Sequence, residues 1–316
     1  MKIVDFQREH AEAAQIIAKQ NYNEERGFVP ALPDISEMPD LTWFADNNLG
    51  VAALEGKQLV GFLCCTPPFG NAFRSTDAVG VFSPMGANGA IGDNRADVYA
   101  RMYQAAGERW ARVGAASHAI CLYAHDKAVQ EQFFRYGFGI RCIDAIRELE
   151  EIPAPPHEGY TFTEINSGEL PLVLPLVHML DAHMAASPSF ILRTSATVEQ
   201  FTKKVTKAHS VIFAVKHKSQ IVAYLRFERD GETFITEIPG YLHVMGAYCL
   251  PEHRGNGMYS GLLNFAVQAL KAGGYTRLGV DFDSFNPTAY GFWLKHFDAY
   301  TRSVVRRIDE HAVSSL

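Results

Sequence analysis

Residues 250–261, LPEHRGNGMYSG, constrain the fold more than any other part of this chain. Before them, the apolar residues of 242–250 predict a strand, and after them, apolar residues recur at helical spacing over 262–270. Gly273 and Gly274 predict the end of that helix. The sequence therefore predicts a strand, a glycine loop and a helix in direct succession.

A junction of this kind presents backbone N–H groups at the positive end of a helix, which suits an anion. Gly255 and Gly257 would let the backbone approach a phosphate without a Cβ in the way, and Arg254 adds a positive charge. A plain strand-to-helix turn explains the two glycines equally well. The loop lacks the third glycine of a dinucleotide site and the Gly-Lys-Ser/Thr of a P-loop, which disfavours both.

Residues 249–258 resemble motif A of the GNAT N-acetyltransferases, Arg/Gln-x-x-Gly-x-Gly/Ala, which binds the pyrophosphate of acetyl-CoA. Arg254 and Gly257 match the motif, whereas Tyr259 stands where the family usually has glycine or alanine. That difference affects packing in the first helical turn more than phosphate binding itself.

A second motif follows after an apolar strand. Residues 286–293, NPTAYGFW, are similar to the family's Asn-x-x-Ala-x-x-Phe-Tyr, and the resemblance implies that Asn286 hydrogen-bonds the pantetheine arm. Acetyl-CoA is then the expected co-substrate, with no metal. The residues expected to bind it are Ala247, Tyr248, Cys249, Leu250, Arg254, Gly255, Asn256, Gly257, Met258, Tyr259, Asn286 and Trp293.

Size and charge narrow the class of protein. The chain has 316 residues, a net charge of −6 and no run of Lys and Arg, so nucleic acid and anionic membranes are unlikely partners. It shows neither a signal-peptide pattern nor a long apolar run, so the expected location is cytoplasmic. Its five cysteines never form Cys-x-x-Cys, which favours reduced core thiols over disulfides or zinc.

The proline-rich residues 151–158 predict a linker that divides the chain into halves, 1–150 and 159–316. A shift of 159 residues places Gly114 on Gly273 and Phe138 on Phe297 without a gap, and both halves show the same order of predicted elements. The predicted fold is α/β with a mixed sheet, as two tandem GNAT-like acyl-CoA N-acyltransferase domains.

The first half is expected to be a degenerate copy. Gly257 falls on Val98, and Asp126 or Lys127 takes the place of Asn286, so both cofactor contacts are missing. The three glycines of 86–92 could form a relocated phosphate loop, but a flexible loop ending in a helix cap at Asp93 explains them. This half is expected to serve as scaffold, dimer surface or substrate wall, which leaves a homodimer open.

The resemblance implies direct transfer of the acetyl group, with backbone N–H groups of 247–249 polarising the thioester. For the base that takes the acceptor's proton, His243 is the first candidate and Glu237 the alternative. Trp293 occupies the position of the family's acidic tyrosine, and its indole cannot protonate a thiolate. Tyr290, one turn earlier, is the substitute candidate, and water is the other option.

Two further groups of side chains admit two interpretations each. His178, Asp181 and His183 lie on a predicted helix, where a solvated face is the first interpretation and acceptor recognition the second. Asp281 and Asp283 end a predicted strand, where they either attract an amine or are ordinary turn residues.

The sequence thus predicts an acyltransferase that moves acetyl from acetyl-CoA to a primary amine of a small molecule or peptide. The alternative is an acyl-CoA-binding module without catalytic activity.

Overall fold

The computed structural model describes residues 1–74, 77–154 and 157–315. The chain forms two compact units. The first consists of Met1–Asp144 and Ala299–Leu316, and the second of Ala145–Asp298. The predicted linker falls in the second unit, and its Pro155 and Pro156 lie outside the described residues.

The first unit contains most of the elements of the first sequence half and the last elements of the chain. They are β1 Lys2–Asp5, α1 Arg8–Phe28, α2 Thr42–Asp46, β2 Gly50–Glu55, β3 Gln58–Cys64, β4 Gly80–Ser83, β5 Asn88–Ala90, α3 Arg95–Arg112, β6 Ser117–Tyr123, α4 Lys127–Arg135, β14 Thr301–Arg307 and α9 Glu310–Ser314. Strand β7, Gly139–Glu148, begins in this unit and ends in the second, and the two-residue β13, Asp298–Ala299, also lies at the division.

The core of the first unit lies between its strands and α3. One sheet has the strand order β1-β2-β3-β5, and β6 pairs with β4 on one side and with β14 on the other. Helix α3 packs on β2 and β3. The apolar residues that meet there are buried, among them Leu63, Met102, Ile120, Phe133 and Val304.

His118 is buried in this core, where the protonation of its ring is coupled to the stability of the fold. Its Nδ1 lies 3.0 Å from the Tyr103 hydroxyl and its Nε2 lies 3.0 Å from the Ala115 carbonyl, which suits a neutral ring. Burial and, less strongly, the charge of Arg306 lower the pKa of His118 from 6.5 to about 4, although the hydrogen bond to the Ala115 carbonyl opposes this shift.

We expect the free energy of unfolding to fall as the pH drops from 6.5 towards 4, because the unfolded chain binds a proton that folded His118 does not. Between pH 7 and pH 5 this loss should be about 2 kcal/mol. In His118→Gln it should be absent, so urea unfolding of both proteins at the two pH values checks it. Equal losses in both proteins would contradict this account.

The second unit is a mixed α/β domain that contains the glycine loop. Its elements are β8 Tyr160–Glu164, α5 Leu170–Ala185, α6 Val198–Lys207, β9 Val211–His217, β10 Gln220–Glu228, β11 Tyr241–Cys249, α7 Met258–Ala272, β12 Arg277–Asp283 and α8 Pro287–His296. The strand order is β12-β11-β10-β9-β8, in which β11 and β12 are parallel and the other pairs antiparallel.

The parallel strands β11 and β12 separate before they end. Their last register pair is Val244 with Val280, whereas β11 continues its pairing with β10 as far as Cys249. In residues 245–249, the backbone N–H and C=O groups that point away from β10 therefore form no ladder hydrogen bonds with β12. Helix α8 follows β12 directly along the chain.

The two repeats match at a shift of 160 residues over their central part, one more than the sequence comparison gave. At this shift β6 falls on β12, and Gly114 falls on Gly274, which shares its left-handed backbone at φ 84° and 86°. Asp126 and Asn286 are each the N-cap of the following helix. The structure therefore assigns Asp126, and not Lys127, to the place of Asn286.

In the new register, a helical turn of the first repeat stands in the place of the glycine loop. Helix α3 begins at Arg95, so its first turn stands where the second repeat has residues 255–257. Its N-cap is Asn94 and not the predicted Asp93, and the proposed loop of 86–92 contains a strand, β5. Gly257 falls on Asp97 rather than on Val98.

The compact units also differ from the sequence halves at their ends. The last strand, β14, pairs with β6 along its whole length, which places the end of the chain in the first unit. At the shift of 159 residues, Arg147 of β7 falls on Arg306 of β14. Because β7 and β14 have similar sequence patterns, the sequence alone does not decide which neighbouring strand each of them pairs with.

The five cysteines lie outside any disulfide, and all of them except the half-buried Cys142 are buried. None of the helices in the described part of the chain is both long and apolar enough to span a membrane.

Candidate active site

The glycine loop has the backbone that its sequence requires. Gly255 and Gly257 have φ values of 80° and 84°, a left-handed conformation that favours glycine, and Gly257 is the N-cap of α7. A Cβ built on Gly255 meets no heavy atom within 4 Å, so the backbone there is open. The Asn256 side chain accepts a hydrogen bond of 3.0 Å from the Met258 N–H and fixes the entry into the helix.

Arg254 is held beside the end of β11. Its Nε donates to the Cys249 carbonyl at 2.9 Å, and its guanidinium lies 5.3 Å from the centre of the Tyr248 ring. These two contacts leave the outer guanidinium nitrogens to meet an anion. The positive charge is thus fixed close to the open backbone of Gly255.

A cavity of ≈ 300 Å³ lies between the end of β11 and helix α8. Residues of the predicted cofactor site that line it are Ala247, Tyr248, Cys249, Arg254, Gly255, Tyr259, Asn286 and Trp293. Its other lining residues are Leu180, His183, Thr288, Ala289 and Phe292. Of the remaining predicted residues, Leu250 and Met258 are buried, and Asn256 and Gly257 are exposed. The residues around the cavity include no carboxylate, which suits an anionic ligand.

Tyr259 fills the position where the family usually has a small residue. Its hydroxyl donates to the Tyr224 carbonyl at 2.9 Å, and its ring meets that of Phe292 edge to face at 5.0 Å. Burial raises the pKa of Tyr259 well above its usual value, so the hydroxyl stays protonated. The larger side chain is accommodated as part of the cavity wall.

Asn286 is buried at the N-terminus of α8 and is largely occupied with protein contacts. Its Oδ1 accepts from the Thr288 hydroxyl at 2.8 Å and from the Ala289 N–H at 3.4 Å. Its Nδ2 lies 3.5 Å from the Met184 sulfur, which is a weak acceptor. The amide NH₂ is therefore the part of Asn286 best suited to meet a ligand.

His183 belongs to the cavity wall, although the sequence pattern favoured a solvated helix face for it. Its Nε2 lies 3.3 Å from Asn286 Oδ1, and its ring centre lies 6.4 Å from that of Tyr248. His178 is exposed and instead contacts the Ala196 carbonyl at 2.8 Å. The sequence offered acceptor recognition for His183 only as the second interpretation, and the structure places its side chain in the wall of the cavity.

His243, the first candidate base, is buried at 1% exposure and does not line the cavity. Its Nδ1 lies 2.9 Å from the Tyr241 hydroxyl and its Nε2 lies 2.8 Å from Asp281 Oδ1. Asp281 is the accessible member of this chain of hydrogen bonds, with 31% of its side chain exposed. It also follows the point at which β11 and β12 separate.

The other catalytic candidates lie outside the cavity wall. Glu237 is exposed in a short 3₁₀ turn before β11, and Tyr290 is 41% exposed on α8. Tyr290 packs edge to face on Phe282 at 6.3 Å and is the direct neighbour of the lining residue Ala289. Trp293, in contrast, is 4% exposed and lines the cavity.

A buried ion pair near the opening of the strands was not predicted. Arg226 and Glu228 on β10 are both nearly inaccessible and contact each other directly. Arg226 also donates to the Met245 carbonyl at 2.8 Å, and the Ser210 hydroxyl donates to Glu228 at 2.5 Å. Two hydrogen-bonded charges inside a sheet restrain the backbone of residue 245, where β11 leaves β12.

Cys249 is the only cysteine of the cavity wall, and its surroundings do not activate it. Burial raises the pKa of its thiol to about 11, although Arg254 lowers it in part. The thiol is therefore protonated at neutral pH, which disfavours an acyl-cysteine intermediate.

Comparison with known proteins gives matches to the part of the chain that contains this cavity. The sequence model of the acetyltransferase (GNAT) family matches residues 178–298, which include both motifs and the whole cavity wall. No curated protein matches the chain.

Among solved structures, a GCN5-related N-acetyltransferase from Sphaerobacter thermophilus is similar over 96% of this chain and 95% of its own. The sequence identity is 11% and the TM-score 0.58. A tandem GNAT protein from the clavulanic acid biosynthesis pathway covers 96% of this chain and 97% of its own length, with 15% identity and a TM-score of 0.45.

At such low identity the Sphaerobacter structure supports the fold of the whole chain, while the family match concerns the second unit. The chain has the mixed α/β fold of two GNAT-like domains in tandem, and its residues 178–298 match the sequence model of the acetyltransferase (GNAT) family.

Proposed function

We propose that the second unit binds acetyl-CoA and transfers its acetyl group directly to a primary amine of a small molecule or peptide. The observation that carries this proposal is the junction of the open glycine loop with the cavity beneath the separated strands. The loop provides a binding site for the diphosphate, and the mostly apolar cavity beside it provides space for the thioester arm.

The residues present fit acetyl-CoA. The left-handed glycines leave bare backbone at the N-terminus of α7, where N–H groups and the helix dipole favour phosphate. Arg254 supplies the matching charge, and the mostly apolar cavity wall suits the pantetheine arm. When bound, acetyl-CoA supplies the activated acetyl group.

Backbone N–H groups at the end of β11 are the natural donors to the thioester oxygen, because β12 no longer pairs with residues 245–249. The acceptor's proton would pass to Asp281, directly or through water. His243 orients this carboxylate by a hydrogen bond of 2.8 Å. In this arrangement His243 is a positioning residue, and Glu237 would serve only if its turn moved.

Tyr290 is the proposed acid for the departing thiolate. Replacing Tyr290 by phenylalanine should lower kcat about 100-fold and leave KM for acetyl-CoA nearly unchanged, because only proton transfer is lost. Tyr275→Phe is the matched control, since Tyr275 is a partly exposed tyrosine at the far end of α7. Steady-state release of the CoA thiol measures both variants, and an unchanged kcat in Tyr290→Phe would assign the proton to water.

The alternative function is an acyl-CoA-binding module without turnover, which Trp293 in place of the usual tyrosine favours. A panel of primary amines, incubated with the protein and acetyl-CoA, separates the two functions. A transferase releases thiol in proportion to the acetylated amine, whereas a binding module shows affinity by calorimetry and no release with any amine.

A further inference from the structure

The first unit has a cavity of its own, of ≈ 350 Å³, which the transfer reaction does not use. It lies among the C-terminal part of α1, the start of α3 and the start of α4. This cavity has the same place in the first repeat as the cofactor cavity has in the second. Asp126, which lines it, caps α4, just as Asn286, which lines the cofactor cavity, caps α8. The volume is in the range of small-molecule sites.

The charge of this cavity is opposite to that of the cofactor cavity. Four carboxylates line it, and Arg95 is the only Lys or Arg among its lining residues. Arg95 contacts Glu24 directly and Asp126 at 3.5 Å, so its charge is already engaged. The carboxylates are Glu24, Glu25, Asp93 and Asp126. The lining thus repels phosphate and attracts a cation.

Glu25 is built into the cavity as a buried acceptor. Its side chain is 2% exposed, and it accepts from the His125 N–H at 3.1 Å and meets His125 Nδ1 at 2.7 Å. The nearby Tyr123 hydroxyl is buried and has no hydrogen-bond partner among the described residues. A buried hydroxyl without a hydrogen-bond partner is unfavourable unless a ligand or a water molecule forms a hydrogen bond with it.

An aromatic surface borders these polar groups. The rings of Phe28 and His125 stack at 4.6 Å and 5°, and Phe28 is 64% exposed, which is high for a large apolar side chain. Such a surface suits the alkyl part of a ligand and attracts a cation to the ring faces. Among the described residues, no three His, Asp or Glu side chains of this cavity lie close enough together to hold one metal ion. The combination fits an organic cation better than a metal ion.

We propose that the cavity of the first unit binds a small alkylamine as its ammonium form. The ammonium group donates hydrogen bonds to the buried carboxylate of Glu25 and to the Tyr123 hydroxyl, while the carbon chain packs on Phe28. Asp126 and Asp93 add attraction without direct contact. The degenerate copy has thus exchanged a cofactor site for an amine site. This inference stands independently of acetyl transfer.

Calorimetry on the intact chain tests the site, with 1,4-diaminobutane as the probe and 1,4-butanediol as its uncharged equivalent. Asp126→Asn is the main variant, because asparagine caps a helix as well as aspartate, so the helix cap is kept while the charge and its pairing with Arg95 are lost. Glu25→Gln removes the buried charge. Asp97→Asn is the control, since Asp97 lies on α3, pairs with Arg101 and is outside the cavity wall.

We expect the diamine to bind the intact chain and the diol to give no measurable heat. Affinity should fall about tenfold in Asp126→Asn and further in Glu25→Gln, and should stay within about twofold in Asp97→Asn. Gly257→Val should bind the diamine like the unchanged protein, which separates this site from the cofactor cavity. Equal binding of diol and diamine, or unchanged affinity in Asp126→Asn, would overturn the proposal even if Glu25→Gln did not fold.

Discussion

Replacement of Gly257 by valine is expected to weaken acetyl-CoA binding at least about 100-fold, a loss of about 3 kcal/mol. Gly257 has a φ of 84°, which valine adopts only with strain, and the branched side chain would stand where phosphate must approach the backbone. Relief of the strain would turn the N–H groups of the loop away from the ligand. Calorimetric titration of the intact chain with acetyl-CoA measures this effect.

Gly274→Val is the matched control for this variant. Gly274 follows the opposite end of the same helix at a φ of 86°, and a Cβ built there meets no heavy atom within 4 Å. The backbone strain is therefore similar, but the residue is outside the cavity wall. Unchanged affinity in Gly257→Val would contradict the assignment of the loop and would redirect attention to residues 86–92.

Replacement of Gly279 by alanine is expected to destabilise the second unit by about 3 kcal/mol or more. A Cβ built on Gly279 lies 1.5 Å from the Tyr241 hydroxyl and 3.0 Å from His243 Nδ1, inside the parallel pair of β11 and β12. Tyr241 is 2% exposed and cannot swing into solvent without leaving the core. The substitution should therefore break the hydrogen bonds that hold His243 and Asp281.

Urea unfolding measures this loss of stability, with two further variants for comparison. Gly291→Ala lies in α8 with open space around its Cβ, and should be neutral or stabilising by up to about 1 kcal/mol. In Gly279→Ala with Tyr241→Phe, the closest clash is removed, so part of the stability should return. A stable Gly279→Ala protein with unchanged thiol release would show that the chain from Tyr241 to Asp281 is not needed.

Much of the fold followed from local pattern. The strand, glycine loop and helix around residues 250–261 form as predicted, because left-handed glycines and apolar spacing act over a few residues. The duplication was visible in the sequence, since both repeats keep their glycines and aromatic residues at nearly constant spacing. The cavity lined by Arg254, Asn286 and their neighbours follows from the order of these two motifs.

The features that the sequence missed or left open depend on distant parts of the chain. His183 reaches the cavity only because α5 packs on β11, and helical periodicity does not report such a contact. The pairing of β14 with β6 depends on a choice between two similar strands.

The position of acetyl-CoA in crystals of the intact chain tests the central claim most directly. We predict density for its diphosphate at Arg254 and the N-terminus of α7, with the thioester arm in the cavity beside residues 247–249. Density for the cofactor in the acidic cavity of the first unit or at residues 86–92 would contradict the assignment of the cofactor site to the second unit.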